Sequence, residues 1–147
     1  MEAADWADLI SHMESAKQAI RLPSAVTEIR HVQAAVQQAM KHFGYDGDDC
    51  FAVRLALEES LINAIKHGNR FDPQRSVHVR FDVSPRRVRI SVRDEGRGFD
   101  PAVVPDPTAE ENLTKPNGRG IMLMRTYMDE IRFTARGREV IMVKKRR

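Results

Sequence analysis

Between Ile65 and Val77 the recurrence of apolar residues changes from every third or fourth position to every second, and no other feature constrains the fold as much. Upstream, Val26, Ile29, Val32, Ala35, Val36, Ala39 and Met40 keep helical spacing from a candidate cap at Ser24 to a stop at Gly44. Asp46 to Asp49 forms a second capping cluster, after which Phe51, Leu55, Leu61, Ile62 and Ile65 predict a second helix ending at Gly68. Downstream, Val77, Val79, Phe81 and Val83 alternate with His78, Arg80 and Asp82. After a turn at Ser84 and Pro85, Val88, Ile90 and Val92 alternate with Arg87, Arg89, Ser91 and Arg93. Such a pair is an antiparallel hairpin with one face buried, and the arginines read as its solvated face.

The remaining segments complete the pattern. Lys17 to Leu22 alternates weakly up to Pro23, which predicts a short strand. Ile121, Met124 and Met128 return to helical spacing, and Ile131 to Ala135 with Val140 to Val143 predicts a closing hairpin around Arg136 and Gly137. Residues 94–118 have no sustained period and read as a long loop, of the kind that is either a functional lid or disordered. Trp6, Ile10 and Met13 suggest a short amphipathic helix in an N-terminal extension, residues 1–16, ahead of one domain spanning 17–147. Helices on one side of a mostly antiparallel sheet make an α+β, two-layer α/β sandwich.

Composition narrows the function. With 41% apolar and 31% charged residues in 147, most of the chain is expected to be globular rather than disordered. No apolar run approaches the roughly 18 residues of a membrane span, and Met1, Glu2, Asp5 and Asp8 lack a signal peptide's basic flank. A cytoplasmic protein with no membrane partner is expected. The single cysteine, Cys50, excludes an intrachain disulfide and reads as a buried thiol. Net charge is +3, and the only dense basic run is Lys144, Lys145, Arg146 and Arg147, which reads as a solvated end. Without a basic helix face or stacking aromatics, nucleic acid is an unlikely partner.

Three segments carry chemistry, each also compatible with ordinary structure. At about 100° per residue, Glu59, Asn63 and His67 form one polar stripe on the second helix, or else a solvated face with a capping histidine. Asp94, Gly96 and Gly98 stand where the strand through Val88 to Val92 runs out. The glycines admit close approach to the main chain, and a carboxylate accepts from an amino group such as adenine N6 while repelling the O6 of guanine. The alternative is a plain Asp-Gly turn. Asn117, Gly118, Arg119 and Gly120 precede the helix through Ile121, where free N–H groups and the helix dipole cradle phosphate, or where a helix simply starts. The segment has neither the Lys-[Ser/Thr] of a P-loop nor dinucleotide-fingerprint spacing.

The order of these motifs resembles the Bergerat-type ATP-binding fold of DNA gyrase, the Hsp90 chaperone, sensor histidine kinases and MutL-type repair proteins. From about Lys17 to Lys145 it is most similar to the stand-alone anti-sigma-factor serine kinases of the sporulation and general-stress type. The resemblance implies ATP and Mg²⁺ as cofactors, with Glu59 as general base and Asn63 as the Mg²⁺ ligand. It implies Asp94 as the adenine-reading acid, Gly96 and Gly98 as close-approach glycines, and Gly118, Arg119 and Gly120 at the phosphates. His67 and Gly68 fit the helix end. The lid before Asn117 is several residues shorter than in the sporulation-type kinases, and Lys115 in it is a candidate phosphate contact. A sensor histidine kinase would need a two-helix phospho-accepting hairpin, whereas residues 1–44 hold one substantial helix.

The function so implied is an ATP- and Mg²⁺-dependent serine/threonine protein kinase that sequesters a sigma factor or similar regulator and phosphorylates a STAS-type antagonist. A homodimer is possible on this reading. The short lid also admits a non-catalytic ATP-binding adaptor that acts by occupying partners.

Overall fold

The computed structural model describes residues 15–98 and 116–147, with the backbone alone at 116–119. Among these residues, β1 (Ala16–Pro23), β2 (Ser76–Val83), β3 (Arg87–Arg93), β4 (Glu130–Thr134) and β5 (Glu139–Lys145) form one antiparallel sheet in the order β1-β2-β3-β5-β4. Helices α1 (Ile29–His42), α2 (Gly47–Ile62) and α3 (Pro116–Tyr127) complete the α+β sandwich.

Register follows the alternation. Val79 faces Val92, Phe81 faces Ile90 and Val83 faces Val88, and on the other side Ile90 faces Met142 and Val92 faces Val140. These side chains are buried in one core with Val32, Val36, Met40, Val53, Leu57, Leu61, Ile65 and Met124 from the helices. Lys17, Arg21, Arg80, Arg87, Arg93 and Arg132 occupy the opposite phase of the strands and are exposed, as the solvated-face reading requires.

Capping at α2 follows expectation: Asp46 accepts the Asp49 N–H at 2.8 Å. Ser24 does not cap α1. A 3₁₀ turn, Val26–Glu28, precedes that helix, and the Ser24 hydroxyl donates instead to the Arg75 carbonyl at 2.6 Å. The second helix reaches Gly68, but its last stretch, Asn63–Gly68, is π-helical, with the Asn69 N–H donating to Ala64 O at 2.8 Å. Arg70 (φ 53°) and Phe71 (φ 57°) then turn the chain through left-handed backbone.

The basic C-terminal run is a solvated end only in part: Lys145 and Arg147 are exposed, whereas Lys144 is buried and Arg146 is held by hydrogen bonds. The β5 register puts Lys144 opposite Val88 on the core face, where it is 3% exposed. Its Nζ lies 3.8 Å from Asp49 Oδ1 and 3.7 Å from Asp129 Oδ2. Arg146 donates to the carbonyls of Phe43 (2.7 Å), Gly44 (2.7 Å) and Pro85 (3.0 Å) and stands over the Tyr45 ring. Tyr45 in turn donates to Ser84 O at 2.7 Å, and burial pushes its pKa up to about 12. The end of the chain therefore ties α1 and α2 to the β2–β3 turn. Cys50 is half-buried rather than enclosed, because α2 presents it beside the Tyr45 carbonyl near the helix start. The N-terminal extension, apart from its last two residues, and most of the 94–118 loop lie outside the described residues. No described helix is long and apolar enough to cross a membrane.

Candidate active site

The strand end of β3, the π turn, α3 and β5 enclose a cavity of about 720 Å³, a size suited to a small-molecule ligand. Asn63, His67, Asn69, Asp94, Gly98 and Arg138 are among its lining residues.

Asp94 follows β3 directly and is 8% exposed. Its N–H donates to Arg138 O at 2.9 Å, and its Oδ1 accepts the Gly96 N–H at 2.8 Å. Burial pushes its carboxyl above the usual range, against the pull of the Gly96 N–H and of Arg138, Arg75 and Arg93. The seat around it admits no side chain. A Cβ on Gly68 would run into the Asp94 carboxyl, and one on Gly96 would run into the Gly68 carbonyl. Gly98 adopts φ +82°, which favours glycine, with the Arg136 carbonyl against it.

Also lining the cavity, Asn63 opens the π turn, and a Cβ on Gly120 would stand 2.7 Å from its Nδ2. Irregular π turns recur at functional sites because they re-aim side chains that a regular helix would direct elsewhere. Gly118 and Arg119 lie inside the first turn of α3 rather than ahead of it, because the helix begins at Pro116. Lys115 lies outside the described residues.

The helical stripe is only partly realised as a wall. Asn63 and His67 line the cavity, as does Ser60, but Glu59 does not. Glu59 is half-buried one turn before Asn63, whose N–H donates to its carbonyl, and burial followed by the neighbouring Glu58 pushes its carboxyl up. His67 is pushed down by burial and by Lys66, and its Nε2 is buried without a hydrogen-bond partner. No described cluster of three His, Cys, Asp or Glu side chains offers a metal cage. Asn63 supplies an amide oxygen, which fits a hard cation that takes its other ligands from phosphate and water.

Among the cavity residues that sequence reasoning did not single out, two have buried polar groups. Arg138 sits in the turn into β5 with its Nε buried and unpartnered, and Asn69 is fully buried behind Asp94. Neither carries a spacing signal; both acquire their place through contacts distant in sequence.

Residues 22–144 match the model of the histidine kinase-like ATPase domain. Among curated relatives, the serine-protein kinase RsbW of Bacillus licheniformis is 32% identical over 118 residues, covering 75% of this chain and 71% of the relative. RsbW of Bacillus subtilis is 26% identical over 121 residues, covering 77% and 74%. The anti-sigma F factor of Anoxybacillus flavithermus is 29% identical over 87 residues, covering 57% and 59%. The crystal structure of the RsbU and RsbW domains of Rv1364c from Mycobacterium tuberculosis superposes with a TM-score of 0.60 at 19% identity. It covers 90% of this chain and 32% of that one, a likeness of fold. A buried carboxyl in a glycine seat, an asparagine at the start of the facing helix turn and these relatives agree: the chain belongs to the histidine kinase-like ATPase family, in the branch that holds the RsbW serine-protein kinases.

Proposed function

We propose that this chain is a cytoplasmic anti-sigma serine kinase in a partner-switching pathway, using ATP with Mg²⁺ to phosphorylate a serine on a STAS-type antagonist and holding a sigma factor or similar regulator. The observation that carries this reading is that one cavity is lined both by the buried Asp94 carboxyl and by Asn63, the residue against which Gly120 packs.

Each group has its chemistry. Asp94, as a carboxylate, accepts from the adenine amino group, and Gly96 and Gly98 leave the main chain open to the base. The free N–H groups of the first turn of α3, Gly118 among them, with Arg119 and Lys115, stabilise the triphosphate at the positive end of the helix, while Gly120 lets α3 lie against Asn63. Asn63 would hold Mg²⁺ through its amide oxygen, and the ion would supply positive charge beside the phosphate oxygens. Glu59 takes the proton from the attacking serine hydroxyl as its oxygen bonds to the γ-phosphorus and the bond to the β-phosphate oxygen breaks, releasing ADP. A raised carboxyl pKa suits that role, because a base works best with its pKa near the operating pH.

One observation favours the non-catalytic adaptor: Glu59 does not line the cavity. Transfer of γ-labelled phosphate from ATP to the cognate antagonist separates the readings. The kinase transfers label to serine, and Glu59→Gln slows transfer by about 10²- to 10⁴-fold while ATP affinity stays within a few-fold. An adaptor binds ATP and transfers nothing.

A further inference from the structure

Behind Asp94 lies a polar network centred on Asn69, whose side chain is 0% exposed. Its Nδ2 donates to Ser24 Oγ at 3.0 Å and to Ser76 O at 2.9 Å, and its Oδ1 accepts the Glu95 N–H at 2.7 Å. One amide thus joins the end of β1, the start of β2 and the turn that carries Asp94. The neighbouring groups are also held. The Glu95 carboxylate accepts the Ser76 N–H at 2.9 Å and pairs with His78 at 2.8 Å, while the Asp94 N–H is bound to Arg138 O.

The peptide units on both sides of Asp94 are therefore fixed, the preceding one by Arg138 and the following one by Asn69. Together they set the direction of the Asp94 Cα–Cβ bond, and the Gly96 N–H then sets the rotation of the carboxyl. An asparagine meets the local demand because it offers one acceptor and two donors in a plane. Alanine here would leave the Glu95 N–H and the Ser76 carbonyl without this partner and free the 94–95 peptide to rotate.

We infer that Asn69 is a positioning residue for base recognition, holding the 94–95 peptide so that the Asp94 carboxyl meets the exocyclic amino group of the nucleotide. The inference rests on the proposed reading of Asp94 and assigns Asn69 no contact with the base. Its signature is non-additivity: once the base lacks its amino group, loss of Asn69 has nothing further to remove.

The test is calorimetric titration of the full chain, and of Asn69→Ala and Asn69→Asp, with ATP and with purine riboside triphosphate, which lacks the 6-amino group. The parent chain is expected to prefer ATP by about tenfold or more, the loss of one good hydrogen bond. Asn69→Ala is expected to weaken ATP by about the same factor and the analogue by under about threefold, so the preference disappears. Asn69→Asp keeps an acceptor for the Glu95 N–H and is expected to retain most of the preference, with a lower melting temperature from the two lost donors. If the parent shows no preference, the Asp94 reading fails and this inference with it. If the parent discriminates and Asn69→Ala keeps the same ratio, only this inference is overturned. Should Asn69→Ala not fold by circular dichroism, a folded Asn69→Asp that has lost the preference overturns it as well.

Discussion

A Cβ on Gly120 would stand 2.7 Å from the Asn63 amide nitrogen, so Asn63 keeps its present position only while residue 120 has no side chain. The group in the way is the far end of a flexible side chain, so Gly120→Ala displaces Asn63 rather than α3. Alanine is also the better helix former, by about 1 kcal/mol. The variant is expected to unfold at an unchanged or higher temperature while Mg²⁺-dependent ATP affinity falls. Thermal melts beside nucleotide titrations check the split, and a parallel loss of both would mean that the helix itself moved.

Asn63→Ala removes the amide oxygen and leaves the helix intact. In titrations with and without Mg²⁺, the parent is expected to bind ATP more tightly with the metal and the variant to lose most of that gain. An unchanged metal dependence would assign the ligand elsewhere.

Lys144 and Asp49 are each almost fully buried and compensate one another. Lys144→Met leaves Asp49 without its cation and is expected to destabilise the fold by about 3 to 5 kcal/mol in urea unfolding. Adding Asp49→Asn should recover part of the loss, since the uncompensated charge is then gone. A Lys144→Met variant as stable as the parent would return the tail to the solvated end its composition suggests.

Burial holds the Asp94 carboxyl above its ordinary range, so two pH dependences follow with opposite signs. The folded state holds this proton more tightly than the unfolded state does. Its contribution therefore lowers stability as pH rises from the unfolded value, about 3.9, through the raised folded value. ATP affinity moves the other way, because the ionised carboxyl is the stronger acceptor for the base's amino group: binding weakens as pH falls through the folded value. Asp94→Asn should flatten this component of both profiles, and a binding profile identical in parent and variant would remove Asp94 from recognition.

The β2–β3 pair was legible because Val77 to Val83 and Val88 to Val92 bury one face each, which forces a period of two onto the sequence. Asp94, Gly96, Gly98 and Gly120 were singled out by residue type and place, each with an ordinary turn or helix start as the alternative, and only the folded chain shows how closely these glycines are packed. The π turn was not legible, because Asn63 to Gly68 keeps helical spacing, and a residue more per turn emerges only as the Asn69 N–H reaches Ala64 O. Lys144 was misread because a basic run is ordinarily solvated, and only the β5 register, fixed by Ile90 and Met142, turns it inward. Asn69 could not be singled out, since its partners Glu95 and Ser24 lie 26 and 45 residues away.

The most direct test of the nucleotide site is calorimetric titration of the full chain with ATP and with GTP, repeated on Asp94→Asn. The parent is expected to bind one ATP per chain and to disfavour GTP by tenfold or more, because the carboxylate accepts from adenine N6 and repels guanine O6. Asp94→Asn is expected to weaken ATP by about 1 to 3 kcal/mol. Equal affinity of the parent for the two nucleotides, or no saturable binding of either, would contradict the assignment of this cavity.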